Sequence, residues 1–275
     1  MIRDIYSRDA AFQKLQVLKG NRNKRHRYGQ FLVEGVRNLN QAVMNGWEIS
    51  SFVYSRDREL SRWALDMLRD VRAEENLRLS GELMEELSGK EDTSELMAVV
   101  NMRRGGAGEL RLPENPLLVL FDRPSNRGNL GTLLRSCDGL GADGLILTGH
   151  GVDLYDPEVV TASMGSFFRV QAVQLELKEV MEYIGALRER YPGFRTVGTT
   201  AHKQRPVWGE DLTGPVMLML GNETEGLSYS FKQGCDVLCT IPMAEGGSAS
   251  SFNVACAGTV LMYEAVRQRH PGETK

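Results

Sequence analysis

Val216-Met-Leu-Met-Leu-Gly-Asn-Glu-Thr-Glu-Gly226 sets five consecutive apolar residues directly before a polar loop bracketed by two glycines. An unbroken apolar run of strand length belongs to a strand buried on both faces, as in a parallel sheet covered by helices. Runs of the same kind recur at Leu117 to Phe121, Gly144 to Thr148, Val170 to Val173, Arg195 to Thr199 and Val237 to Ile241. Helical stretches separate several of them: Gly131 to Leu140, Pro157 to Met164 behind an Asp156 cap, and Leu177 to Arg190. A last helix is expected over Ser251 to Arg269. The pattern predicts an α/β domain over residues 117–275 built on a mainly parallel sheet.

Upstream, the elements are shorter. Phe31 to Val33, Ile49 to Tyr54, Leu77 to Leu79 and Leu96 to Met102 read as strands, with helices over Val36 to Asn45, Arg58 to Val71 and Gly81 to Leu87. They make a small N-terminal α/β domain over residues 1–102. Residues 103–116, rich in Gly and Pro and without periodicity, read as a linker. The length of 275 residues agrees with two domains.

With 41% hydrophobic and 25% charged residues, the composition excludes a disordered chain or a fibrous rod. The longest apolar runs fall far short of the ~20 residues that span a bilayer, and the N-terminal MIRDIYSRDAAF lacks the apolar core of a signal peptide. The expectation is a cytoplasmic protein with no membrane partner. Cys137, Cys235, Cys239 and Cys256 form no C-x-x-C pair and have no histidine at zinc-finger spacing, so neither a metal nor a disulfide is expected.

The net charge of −3 conceals an asymmetry. Residues 1–30 carry eight basic side chains against Asp4 and Asp9. The densest part, Asn21-Arg-Asn-Lys-Arg-His-Arg27, is either an arm whose Arg22, Lys24, Arg25 and Arg27 contact the phosphates of a nucleic acid or a solvated charged surface.

Ligands of open parallel sheets bind beyond the carboxyl ends of the strands, which directs attention to three loops. After Phe121, Gly128 and Gly131 allow a tight turn, and Arg135 falls one helical turn past Gly131, placed to meet an anion or to sit in a surface ion pair. After Leu220, Gly221 and Gly226 match the spacing of a phosphate-binding loop, but Leu227 stands where its lysine must be and two carboxylates lie inside. That loop suits a positively charged nucleoside better than a triphosphate. After Ile241, the segment to Asn253 offers the hydroxyls of Ser250 and Ser251 and the Asn253 amide, either to orient a polar substrate or to cap the last helix.

In order and spacing, Asn129-x-Gly131-x-x-x-Arg135, Gly221-Asn-Glu223-x-x-Gly226 and Ile241-Pro-Met243 to Ser251-Phe-Asn253-Val resemble the three signature motifs of the SpoU/TrmH family of SPOUT methyltransferases. The resemblance covers residues 117 to about 269. Phe252 departs from it, standing where leucine is usual, and Phe31-Leu-Val-Glu-Gly35 resembles the start of the small RNA-binding domain that often precedes these enzymes.

This resemblance implies an S-adenosylmethionine-dependent enzyme that methylates a ribose 2′-hydroxyl in structured RNA, ribosomal RNA before transfer RNA. It also implies a C-terminal trefoil knot and a homodimer, to which the small residues Ala255, Ala257 and Gly258 of the last helix would contribute a close-packing face. By the same analogy Leu220, Gly221, Ile241, Met243 and Phe252 hold the cofactor. Arg135 clamps the RNA phosphate and the developing alkoxide, while Asn129, Glu223, Ser251 and Asn253 position the ribose and Arg135, with Glu223 orienting a guanidinium. Two other readings fare worse. A nucleotide hydrolase or dehydrogenase lacks both G-x-G-x-x-G and the phosphate-loop lysine, and a catalytically silent RNA-binding factor would have no use for Arg135, Glu223 and Asn253.

Overall fold

The computed structural model describes residues 1–270 except Glu91, Arg104 and Lys203. The chain separates into two units, Met1–Arg104 with Asp153–Arg169, and Gly105–Val152 with Val170–Lys275. In chain order the first holds β1 (Ile2–Ile5), α1 (Ala10–Gly20), α2 (Arg22–Tyr28), β2 (Gln30–Glu34), α3 (Val36–Met44), β3 (Ile49–Ser55), α4 (Arg62–Asp70), β4 (Glu75–Leu79), α5 (Gly81–Ser88) and β5 (Leu96–Asn101). Its sheet runs β1-β4-β3-β5-β2, parallel from β1 to β3 and antiparallel from β3 to β2. Alternation along β2 sends Leu32 into a core with Phe12, Leu15 and Leu18 of α1 and Leu83 of α5, and Phe31 to the opposite face.

The basic run is not a loose arm. It forms α2, whose start is capped by Asn21 Oδ1 accepting from Lys24 N at 3.0 Å and whose end is turned by Gly29 at φ +65°. Arg25 is 2% exposed. Its Nε donates to Asp153 Oδ2 at 2.8 Å, Nη2 reaches Asp156 Oδ2 at 3.2 Å, and Nη1 donates to the Leu18 and Lys19 carbonyls at 3.2 and 3.0 Å. A buried guanidinium so enclosed contacts no RNA, which corrects the reading of Arg25 as a phosphate contact. Its counter-charges lie 128 and 131 residues downstream, beyond any local pattern. The same downstream segment supplies Tyr155, Phe167 and Phe168, which pack around Phe31 and Trp47 with ring centroids 5.0 to 6.4 Å apart. Residues 153–169 therefore belong with the first unit, not with a domain running unbroken from 117 to 275.

The second unit contains β6 (Leu117–Asp122), α6 (Arg127–Leu140) and β7 (Gly144–Thr148); after α7 (Pro157–Ala162), which lies in the first unit, come β8 (Ala172–Leu175), α8 (Leu177–Arg190) and β9 (Arg195–Thr199). It continues with β10 (Arg205–Pro206), β11 (Val216–Leu220), α9 (Tyr229–Gly234), β12 (Val237–Thr240) and α10 (Val254–Arg269). The seven strands are all parallel, in the order β10-β12-β9-β11-β6-β7-β8. Both faces are covered. Met217 and Met219 pack with Val180, Ile184 and Leu187 of α8, while the Leu220 side chain meets α10. Leu110, in the stretch read as a linker, is 7% exposed and part of this core.

At Gly258 an added Cβ would lie 2.6 Å from Leu133 Cδ1 and 2.8 Å from Leu220 Cδ1, so a side chain there would have to push these two buried leucines of α6 and β11 aside. The small residues Ala255 and Gly258 are thus consumed inside the unit, and the face of α10 left exposed is Cys256, Val260, Tyr263 and Arg267.

Candidate active site

In a wholly parallel sheet every carboxyl end lies along one edge. Strand order here departs from chain order around β6, which has β7 on one side and β11 on the other, and such a switch opens a crevice at that edge. The loops after β6, β9, β11 and β12 meet there.

The loop after β11 closes on itself. Asn222 N donates to Gly226 O at 3.1 Å and Gly226 N to Asn222 O at 2.9 Å, a closure that brings backbone against Gly221. A Cβ on Gly221 would stand 2.1 Å from Gly226 C and Leu227 N, which no side chain can do. Inside the loop, Asn222 Oδ1 accepts from Thr224 and Glu225 N–H, and Asn222 Nδ2 ties the loop to Arg123 O at 2.7 Å. Arg123, in the left-handed region at φ 51°, grips it from outside through Glu225 and Gly226 O. Beneath it, Asp122 is 2% exposed and accepts from Thr148 Oγ1 and Ser228 N at 2.7 Å each.

Glu223 is held by four donors. Ser125 N and Oγ reach Oε2 at 2.9 and 2.6 Å, and Asn126 N and Asn129 Nδ2 reach Oε1 at 3.0 and 3.2 Å. Burial pushes this carboxyl up, but the hydrogen bonds, those from Ser125 first, outweigh it and hold the group below the usual carboxylate range. Asn129 spends its NH₂ on Glu223, so its Oδ1 faces Asn253 Nδ2, which donates at 2.9 Å. Asn253 in turn spends Oδ1 on capping α10 at Ala255 N, 2.9 Å. Each amide in the chain Glu223–Asn129–Asn253 thus has one orientation that satisfies its neighbours.

A cavity of about 320 Å³ opens beside this chain. Leu220, Gly221, Ile241, Met243 and Phe252 all line it, together with Glu223 and Ser251. Thr199 to His202, in the loop after β9, also line it; sequence reading passed over them, although they follow an apolar strand just as the other loops do. Ser125, Asn126 and Arg123, the partners that hold the loops in place, were likewise invisible because two of the contacts on Glu223 come from backbone.

Arg135 stands apart. It is exposed on α6, six residues beyond Asn129, hence about 9 Å along the axis and on another face. Among the described residues it makes no hydrogen bond or ion pair, and Glu223 orients no guanidinium; the arginine engaged in the loops is Arg123, through Glu225. In α2, Arg27 is exposed and Arg22 and Lys24 are half-buried.

Residues 116–263 match the SpoU rRNA Methylase family, and residues 9–98 match the SpoU L30e-like domain. The chain is 46% identical over 274 residues to the 23S rRNA (uridine(2479)-2'-O)-methyltransferase of Streptomyces viridochromogenes, covering 99% of this chain and 94% of that one. It is 34% identical over 170 residues to the 23S rRNA (guanosine-2'-O-)-methyltransferase RlmB of Pseudomonas putida, or 59% of this chain and 66% of the relative. Among solved structures, the SpoU methyltransferase AviRb from Streptomyces viridochromogenes in complex with the cofactor AdoMet superposes with a TM-score of 0.91 at 46% identity, covering 97% of this chain and 100% of that one. With the three loops at one edge of a parallel sheet and a relative matched along nearly its whole length, this chain belongs to the SpoU rRNA methylase family.

Proposed function

We propose that this protein transfers a methyl group from S-adenosylmethionine to a ribose 2′-hydroxyl of 23S ribosomal RNA. The observation that carries this reading is the cavity at the carboxyl edge of the sheet, with the Glu223–Asn129–Asn253 chain at its side. The residues present fit the cofactor. Leu220, Ile241, Met243 and Phe252 offer apolar walls for a purine, Gly221 lets the loop backbone close tightly on itself beside them, and the carboxylates of the loop favour a cation over a triphosphate. The bound cofactor supplies the methyl group on a sulfonium centre.

In-line transfer requires the ribose oxygen to be held facing the methyl carbon. Asn129, Ser251 and Asn253 are assigned to that task, with Glu223 fixing the amide of Asn129. Arg135 is assigned as a clamp on the RNA phosphate and on the alkoxide as it develops; a guanidinium keeps its own proton, so the hydroxyl proton leaves through phosphate or water. Arg22, Lys24 and Arg27 are assigned to RNA phosphates.

The position of Arg135 supports a homodimer. Its neighbour Ser136 touches Thr259 Oγ1 at 2.6 Å, which sets Arg135 beside the exposed stripe Cys256, Val260 and Tyr263 of α10, a face suited to a second copy. The trefoil knot belongs to the same proposal: β11 inserts between β9 and β6, β12 lies beyond β9, and α10 returns to pack on α6 and β11. No described helix is long and apolar enough to cross a membrane; the cytoplasm is assigned from the ribosomal RNA substrate alone.

Mass mapping of 2′-O-methyl groups in 23S ribosomal RNA from cells with and without the gene tests the activity. One site should vanish and return when purified protein and S-adenosylmethionine are added; an unchanged map sinks the reading. Light scattering at micromolar concentration should report a dimer, and monomer alone counts against the paired arrangement.

A further inference from the structure

The charged groups around the cavity are not all partnered. Two carboxylates line it, Glu223 and Glu225, and both are engaged by the loops, one by Ser125, Asn126 and Asn129 and the other by Arg123. Among the described residues, one lysine or arginine lines it: Lys232. Its ammonium makes no hydrogen bond or ion pair with any described residue. Its backbone is anchored, because Phe231 of α9 is 1% exposed in the core of the unit, and the lysine itself is half-buried. A lysine on a ligand cavity, left without a partner by the protein, is matched by an anion on the ligand.

We infer that Lys232 binds the α-carboxylate of the cofactor's methionine portion and so makes the site selective for the intact amino-acid tail. This rests on the reading of the cavity as an S-adenosylmethionine site. That molecule carries one carboxylate, and the loops offer it no other unspent positive charge among the described residues. The carboxylate is not altered by methyl transfer, so substrate and product cofactor feel Lys232 equally. Its contribution is uniform binding, which sets affinity without altering the chemical step.

The test is calorimetry on the full chain with two probes, S-adenosylhomocysteine, which has the carboxylate, and 5′-methylthioadenosine, which lacks it. Lys232→Met should weaken S-adenosylhomocysteine by about tenfold to a hundredfold, as expected for the loss of one charge-assisted hydrogen bond. It should leave 5′-methylthioadenosine within twofold, and Lys232→Arg should retain most of the affinity. Equal weakening of both probes would make Lys232 a wall of the cavity and overturn the inference, as would unchanged binding of S-adenosylhomocysteine. If the unaltered protein bound neither probe, the cofactor reading itself would fall; if it bound both and the variant matched it, only the role of Lys232 would.

Discussion

Replacing Arg25 by methionine separates the two meanings a basic residue can have here. The guanidinium is 2% exposed and spends its three nitrogens on Asp153, Asp156 and the carbonyls of Leu18 and Lys19. Methionine fills much of the space but leaves Asp153, with a side chain 3% exposed, without the guanidinium on its Oδ2, its described partners reduced to His26 Nε2 at 2.9 Å and Tyr155 N at 3.3 Å, both on Oδ1. Breaking such a pair from one side costs about 3 to 5 kcal/mol. Urea unfolding followed through Trp47, which packs among Phe31, Phe167 and Phe168, reports on this unit, and Trp208→Phe removes the exposed indole of the other. With a slope of about 2 kcal/mol per molar urea, the midpoint should fall by roughly 1.5 to 2.5 M. Arg25→Met/Asp153→Asn should recover part of the loss, because the buried charge is gone. RNA affinity of the folded variant should keep its salt dependence. A midpoint shift below about 0.5 M, together with a log-log salt slope reduced by roughly 0.7 to 0.9, would show Arg25 to be a phosphate contact and refute the argument from burial.

Gly221→Ala should abolish S-adenosylhomocysteine binding in calorimetry while far-ultraviolet circular dichroism stays unchanged, because the new methyl would sit 2.1 Å from the backbone at Gly226 and Leu227. Arg135→Ala should leave cofactor binding intact and lower single-turnover methyl transfer by about a hundredfold or more; a near-normal rate removes Arg135 from the catalytic assignment. The Glu223 carboxyl lies below its usual value of 4.5 in the folded chain, so its stabilising effect is fully present above that value and is lost as pH falls through the lower, folded value. Melting temperature should accordingly show an acid limb below about pH 4.5 that Glu223→Gln flattens, while between pH 6 and 8 neither protein should respond through this group.

Those outcomes bear on what can be read from sequence. Strands buried on both faces announce themselves: Gly144–Thr148, Arg195–Thr199 and Val216–Leu220, and the helix Leu177–Arg190, fall where apolar runs and spacing put them. The four residues of β1 do not, since two of them are exposed and their partner β4 lies some seventy residues away. In α1 the buried positions Phe12, Leu15 and Leu18 follow helical spacing, but the surrounding lysines and arginines draw the eye to charge instead. α6 begins at Arg127, four residues ahead of expectation, because Asn126 caps Asn129 N at 2.9 Å and the turn that sets this up is held by Glu223 from a distant loop. The cavity walls were legible as residue types in loops after strands. The separation of Arg135 from Glu223 was not, because a helix expected to start at Gly131 leaves Asn129 outside it, and only the earlier start at Arg127 puts both residues on one helix, six apart.

Residues 153–169 leave the parallel sheet after β7 and rejoin it before β8, so the backbone passes from one unit to the other three times. A single proteolytic cut between residues 105 and 116 would leave residues 153–169 of the first unit still tied by chain to the second at both ends, so the two fragments would stay together through the packing of that segment against the rest of the first unit. A gene truncated after residue 104 would encode Arg25 without Asp153 and Asp156, and Phe31 and Trp47 without Tyr155, Phe167 and Phe168. One recombination break-point therefore cannot exchange the first unit for another. A change of RNA target in this architecture has to proceed residue by residue, or by moving two separate stretches of the gene together.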